Sequence, residues 1–195
     1  MRKFFLRFIA VCFFMLTTLS TLRADDGSEQ AMVVTQARYA TEALAASLVA
    51  RLQSAIEEGG AVAGVEACRL EAQSLTQQTG DALGLTVGRT ALRVRNPTNA
   101  PDDWEQQQLE YFEAMLARGT PANQLEALEY FDYNGRAEWR YMRPIMTGGQ
   151  CLVCHGEQLA PTVANVISQN YPNDRAVDFK LGQLRGAFTV TLEVK

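Results

Sequence analysis

Val33, Ala37, Ala40, Leu44, Leu48, Leu52 and Ile56 recur at three- and four-residue steps within a stretch, Ser28 to Glu58, that lacks Gly and Pro. This periodicity predicts one long helix with a single apolar stripe, ended by Gly59-Gly60. A second helix is predicted from Val62 to Thr79, stopped by Gly80 and carrying Cys68. Leu85 to Arg95 alternates apolar and polar residues, as a half-buried strand does, before Asn96-Pro97 and Ala100-Pro101 interrupt it. Asp102 and Glu105 have the spacing of a capping box ahead of a helical run from Trp104 to Arg118. Ala127 to Tyr133 and Ala137 to Met146 are strand-like and flank Asn134-Gly135, a strong hairpin signal. A short helix over Val163 to Gln169, a turn at Tyr171-Pro172-Asn173-Asp174 and a last strand over Gly186 to Val194 complete the pattern. There is no repeat and no second domain. The predicted class is α+β, with N-terminal helices packed on an antiparallel sheet.

The first residues follow a different logic. Arg2, Lys3 and Arg7 precede the apolar run Phe8 to Leu16, and Leu22-Arg23-Ala24 follows it. The run is too short to span a bilayer, so residues 1–24 are expected to be a secretory signal cut near Ala24, leaving 25–195 as one domain. An uncleaved anchor is the alternative. The expected location is periplasmic or secreted, with no stable membrane span after cleavage. Val11 stands where a lipoprotein signal carries a small residue, so Cys12 is expected to leave with the signal unlipidated. An apolar fraction of 47% with 21% charged residues is that of a globular protein. Cleavage removes Arg2, Lys3, Arg7 and Arg23 and no acid, moving the net charge from −4 to −8. Such an acidic chain is a poor partner for nucleic acid, whose phosphates call for clustered Lys and Arg.

The sequence holds a single histidine, which excludes a bis-histidine metal site. That residue completes Cys151-Leu-Val-Cys154-His155, the attachment pattern of c-type haem in exported proteins. Two thiols would bond the two vinyl groups, and the adjacent histidine would ligate iron from the proximal side. A thioredoxin-like pair is the main alternative, but it belongs at a strand-to-helix junction of a βαβ unit, whereas this motif follows a hairpin and Gly148-Gly149. A zinc knuckle would need a second ligand pair. Cys68 is then left without a disulfide partner, and no histidine remains for the sixth position of the iron. Met32, Met115, Met142, Met146, Cys68, a lysine, or no strong ligand are all open; the plain alternative for the methionines and for Cys68 is core packing.

The chain resembles the exported single-haem c-type proteins with a PAS-like fold, found alone and as sensor modules of membrane-bound signalling proteins. The resemblance rests on Ala67-Cys68, Arg89 to Glu105 with its Asn-Pro-x-Asn-x-Pro run, Tyr141 to Ile145, Cys151 to Gly156, and Tyr171 to Ala176. It implies one covalent haem c with His155 and Cys68 as axial ligands, and hence a low reduction potential. Val177-Asp178-Phe179 and Gly182-Gln183 depart from the glycine-aromatic and Gly-Asp pattern of that family, which bears on the loop before the last strand. Arg93, Arg95 and Arg143 are candidates to pair with the haem propionates, against the alternative of a solvated strand face. The function this implies is a redox or diatomic-gas sensing domain with Cys68 as the switchable ligand and an unknown redox or signalling partner. A small electron-transfer cytochrome c is the second reading. A bundle-type gas-binding cytochrome c is the third, and it would need a helix where Gly186 to Val194 alternates. An enzyme is the least supported, since no paired catalytic groups are recognisable.

Overall fold

The computed structural model describes residues 24–194; Cys12 and the apolar run of the expected signal lie outside them. Helix α1 (Ala24–Leu70) has two arms that meet at Gly59 and Gly60, where Gly60 takes φ 73°, ψ −169°, a conformation open to glycine and strained for other residues. Helix α2 (Ala72–Leu83) follows directly. Four antiparallel strands, β1 (Thr86–Thr90), β2 (Ala127–Asp132), β3 (Ala137–Met146) and β4 (Leu184–Val194), pair in the order β1-β4-β3-β2. Between them lie α3 (Asp103–Ala117), α4 (Leu152–His155) and α5 (Pro161–Asn170). No helix among the described residues is long and apolar enough to cross a membrane.

The two sheet faces are covered by different helices. Val33, Ala37, Ala40 and Leu44 of the first α1 arm are buried against Val87, Trp139, Tyr141, Val190 and Leu192. Burying a large apolar side chain of this kind contributes about 1.5–3 kcal/mol. On the other face α3 packs Trp104, Leu109 and Phe112 on Met142 and Ala187. The capping box of α3 forms as predicted: Glu105 N–H donates to Asp102 Oδ1 (2.9 Å) and Asp102 N–H to Glu105 Oε2 (3.2 Å). Asn134 and Gly135 both take positive φ, 59° and 90°, and turn β2 into β3.

Two expectations are corrected. The second helical stretch is broken at Glu71 rather than continuous, and it runs through Gly80 to a left-handed cap at Gly84. Gly80 is there for close approach: a Cβ would lie 2.7 Å from the Leu85 carbonyl oxygen. The strand expected to reach Arg95 ends at Thr90, because Ala91 N–H is taken by the Asn99 carbonyl (3.3 Å) of the 3-10 turn Pro97–Asn99. Asn96 caps that turn by accepting from Thr98 N–H (3.1 Å).

Candidate functional site

The motif Cys151-x-x-Cys154-His155 forms a single helical turn, from the 3-10 residues Gly149–Cys151 into α4. Positions separated by three and four residues share a helix face, so Cys151, Cys154 and His155 look the same way while Val153 is exposed on the other. His155 Nδ1 lies 2.7 Å from the Ala176 carbonyl oxygen. A carbonyl only accepts, so Nδ1 carries the proton and Nε2 holds the free lone pair, the arrangement a metal-ligating histidine needs. Burial, with Arg185 and Arg95 nearby, pushes the imidazole down to about 3 against the opposing bond to Ala176, which keeps it neutral at ordinary pH.

A braced loop supplies that carbonyl. Tyr171 to Asp174 forms a turn (Asp174 N–H to Tyr171 O, 3.0 Å), and Asp174 Oδ1 accepts from Ala176 N–H (2.8 Å). Arg95 then ties the parts together: it pairs with Asp174 Oδ2 (3.0 and 2.9 Å) and donates to the carbonyls of Cys154 (2.7 Å) and Ala176 (3.2 Å). Phe179 N–H donates to the His155 carbonyl (2.9 Å), and its ring meets the imidazole edge-on at 6.3 Å. Arg93 stacks over Phe179 at 3.5 Å and donates to the Val177 carbonyl (3.0 Å). Within this loop Asp178 takes φ 58°, a left-handed conformation that Asp tolerates better than most residues.

These groups open onto a cavity of about 400 Å³, within the range of cofactor sites. The apolar stripe of α1 continues from the core into its wall as Leu48, Leu52 and Ile56. Cys68, on the last turn of α1, lines it together with Cys151, Cys154 and His155. All three described cysteines are free thiols, and Cys68 exposes its surface to this cavity. Dense surroundings push the Cys68 thiol up, against the opposing pull of Arg89 and Arg95. No group of three or more His, Cys, Asp or Glu among the described residues is gathered closely enough to hold a bare metal ion. Of the methionine candidates, Met146 lines the cavity; Met142 is buried under α3, Met115 packs beside it and Met32 is exposed.

The arginines are redistributed relative to expectation. Arg93 and Arg143 are not among the residues lining the cavity, since Arg93 braces the Phe179 loop and Arg143 pairs with Glu42 (3.3 Å). Arg95 lines it but is committed to Asp174. Arg89 and Arg185, absent from the predicted set, line the wall instead. Alternation with Val87 along the strand could have flagged Arg89; Arg185 gave no signal, lying just before the predicted last strand where β3 and β4 shift register. Thiols, a neutral imidazole with a free Nε2, apolar walls and spare guanidinium charge together suit a largely apolar, metal-bearing anion attached through sulfur.

The family model described as Tll0287-like (Tll0287) matches residues 23–192. The crystal structure of the cyanobacterial heme-protein Tll0287 is similar at a TM-score of 0.60 and 28% identity, covering 86% of this chain and 96% of that one. No curated protein shows a match. On the extent of the family match, the chain belongs to the Tll0287-like family.

Proposed function

We propose that the chain is an exported c-type haem protein, periplasmic or secreted, that senses redox state or a diatomic gas and has no enzymatic turnover. The observation that carries this reading is one cavity receiving Cys151, Cys154, a tautomerically fixed His155 and Cys68. Cys151 and Cys154 would each add S–H across one vinyl group to form a thioether. His155 would offer Nε2 to the iron while Ala176 holds its other nitrogen. Cys68, as a thiolate, would be the second axial ligand and would favour the ferric state. The bound haem would supply an iron centre that exchanges one electron and takes a gas where an axial position opens. Cys68 would be the displaceable ligand, since it stands on an exposed turn of α1 whereas His155 is held by the Ala176 carbonyl. The heme-protein Tll0287 lends support by its similarity.

The test is absorption and EPR spectroscopy of the ferric protein and of Cys68→Ala. Loss of the low-spin thiolate signature in the variant is expected; an unchanged EPR spectrum refutes Cys68 ligation and leaves Met146, the methionine on the wall. Adding CO or NO to the reduced protein separates a sensor, which binds rapidly, from an electron carrier with two firm ligands.

A further inference from the structure

The cavity wall carries four arginines, Arg51, Arg89, Arg95 and Arg185, and no Asp, Glu or Lys. In a chain with more acidic than basic residues this is a local inversion of charge. Two of the four are neutralised by carboxylates outside the wall: Arg51 by Glu71 (2.7 Å) and Arg95 by Asp174 (2.9 Å). Arg89 has no carboxylate or hydrogen-bond partner among the described residues. Arg185 donates to the Arg93 carbonyl (3.3 Å) and flanks Phe179; it makes no ion pair, and the one carboxylate that acts on it, Asp174, is already paired with Arg95. Both are largely desolvated, which depresses their basicity, Arg185 to about 10. Buried charges are otherwise paired, so two unmatched guanidiniums on one wall call for two negative charges in the space they face.

We propose that Arg89 and Arg185 anchor the two propionate carboxylates of the haem, holding them inside the cavity rather than in bulk water. This rests on the haem reading above and adds to it the orientation of the group and a means of setting its potential. Arg89 reaches the wall from β1 and Arg185 from the start of β4, neighbours in the sheet, so the propionate edge would lie against that pair of strands. The guanidinium fork suits a carboxylate bidentately, which a lysine cannot match.

The experiment uses the exported, haem-loaded protein with Arg89→Gln, Arg185→Gln, the two Lys variants, and Arg143→Gln as a control outside the cavity. Covalent haem is counted by mass, propionate bending is followed by resonance Raman, and the midpoint potential is measured by spectroelectrochemistry. Each Gln variant is expected to keep covalent haem, shift the propionate band and lower the ferrous-to-ferric ratio at fixed applied potential about tenfold, equal to about 59 mV. The Lys variants keep the charge, so they shift the Raman band with the potential close to wild type; they carry the test if a Gln variant does not accumulate. Arg143→Gln changes neither readout. Haem-loaded Arg89 and Arg185 variants with wild-type Raman bands and potential would overturn the assignment while leaving the haem reading intact. Wild type without covalent haem overturns both. A response of the loaded wild type to added inorganic phosphate would mean that the pair is open to a free anion, and also overturns it.

Discussion

Replacing Arg95 with Met removes the cation of an ion pair whose side chains are only 11% and 8% exposed. Asp174 then keeps its charge in a nearly closed site, and the carbonyls of Cys154 and Ala176 lose a donor. Breaking a buried pair from one side costs about 3–5 kcal/mol, against about 0–1 kcal/mol for an exposed pair. With a urea m-value of about 2 kcal/mol per M, the midpoint of unfolding should fall by about 1.5–2.5 M. The measurement is urea unfolding of the purified protein followed by circular dichroism, with Arg95→Met, Asp174→Asn and the double variant. The amide introduced by Asp174→Asn keeps an oxygen for the Ala176 N–H while dropping the orphaned charge, so the double variant should recover at least about 1 kcal/mol relative to additivity. A midpoint shift below about 0.5 M in Arg95→Met, or strict additivity, would refute a role for this pair in holding the loop behind His155.

Asp178→Val should cost about 1–2 kcal/mol, because a β-branched residue at φ 58° is strained, whereas Asp178→Gly should be nearly neutral; equal losses in thermal unfolding would contradict this. Gly186→Ala pushes a Cβ against the Thr90 carbonyl of the neighbouring strand and should destabilise by about 1–3 kcal/mol, checked by the same unfolding curves. Glu126 accepts from Arg38 and from Tyr141 Oη (2.7 Å), and Arg38 holds its carboxyl below the usual range. A carboxylate with a depressed folded-state pKa adds stability that is present above its unfolded value and lost as pH falls through the folded one. Glu126→Gln should therefore flatten the decline of unfolding free energy from pH 5 downward; an acid limb as steep as wild type would count against the pair.

Local chemistry carried most of the fold. The α3 capping box, the Asn134-Gly135 hairpin and the limits of β3 follow from short-range rules, and all three stand in the structure. The α1 stripe also appears with its spacing intact. Periodicity could not say that the stripe changes purpose partway along, from core at Leu44 to cavity wall at Leu48, since both environments ask for the same side chains. The two elements misjudged in extent were decided by long-range contacts. Gly80 looks like a helix stop until the Leu85 carbonyl is found beside it, and the run to Arg95 looks like strand until Asn99 claims the Ala91 N–H.

The candidate site divides along the same line. Cys151, Cys154 and His155 were legible because their spacing is a property of one helical turn. The arginines were not, because which of them stays unpaired depends on carboxylates distant in sequence: Glu71 for Arg51, Asp174 for Arg95, Glu42 for Arg143. Net charge pointed away from nucleic acid. That inference holds for a polyanion, which meets the outer surface and is repelled by the acidic excess. It fails for a small enclosed dianion, whose energy is set by the few charges on its own wall in a medium that screens them weakly. An acidic chain whose cavity wall carries arginine and no Asp, Glu or Lys is therefore consistent physics: the acidic excess lies elsewhere, while Arg89 and Arg185 face a space those acids do not line.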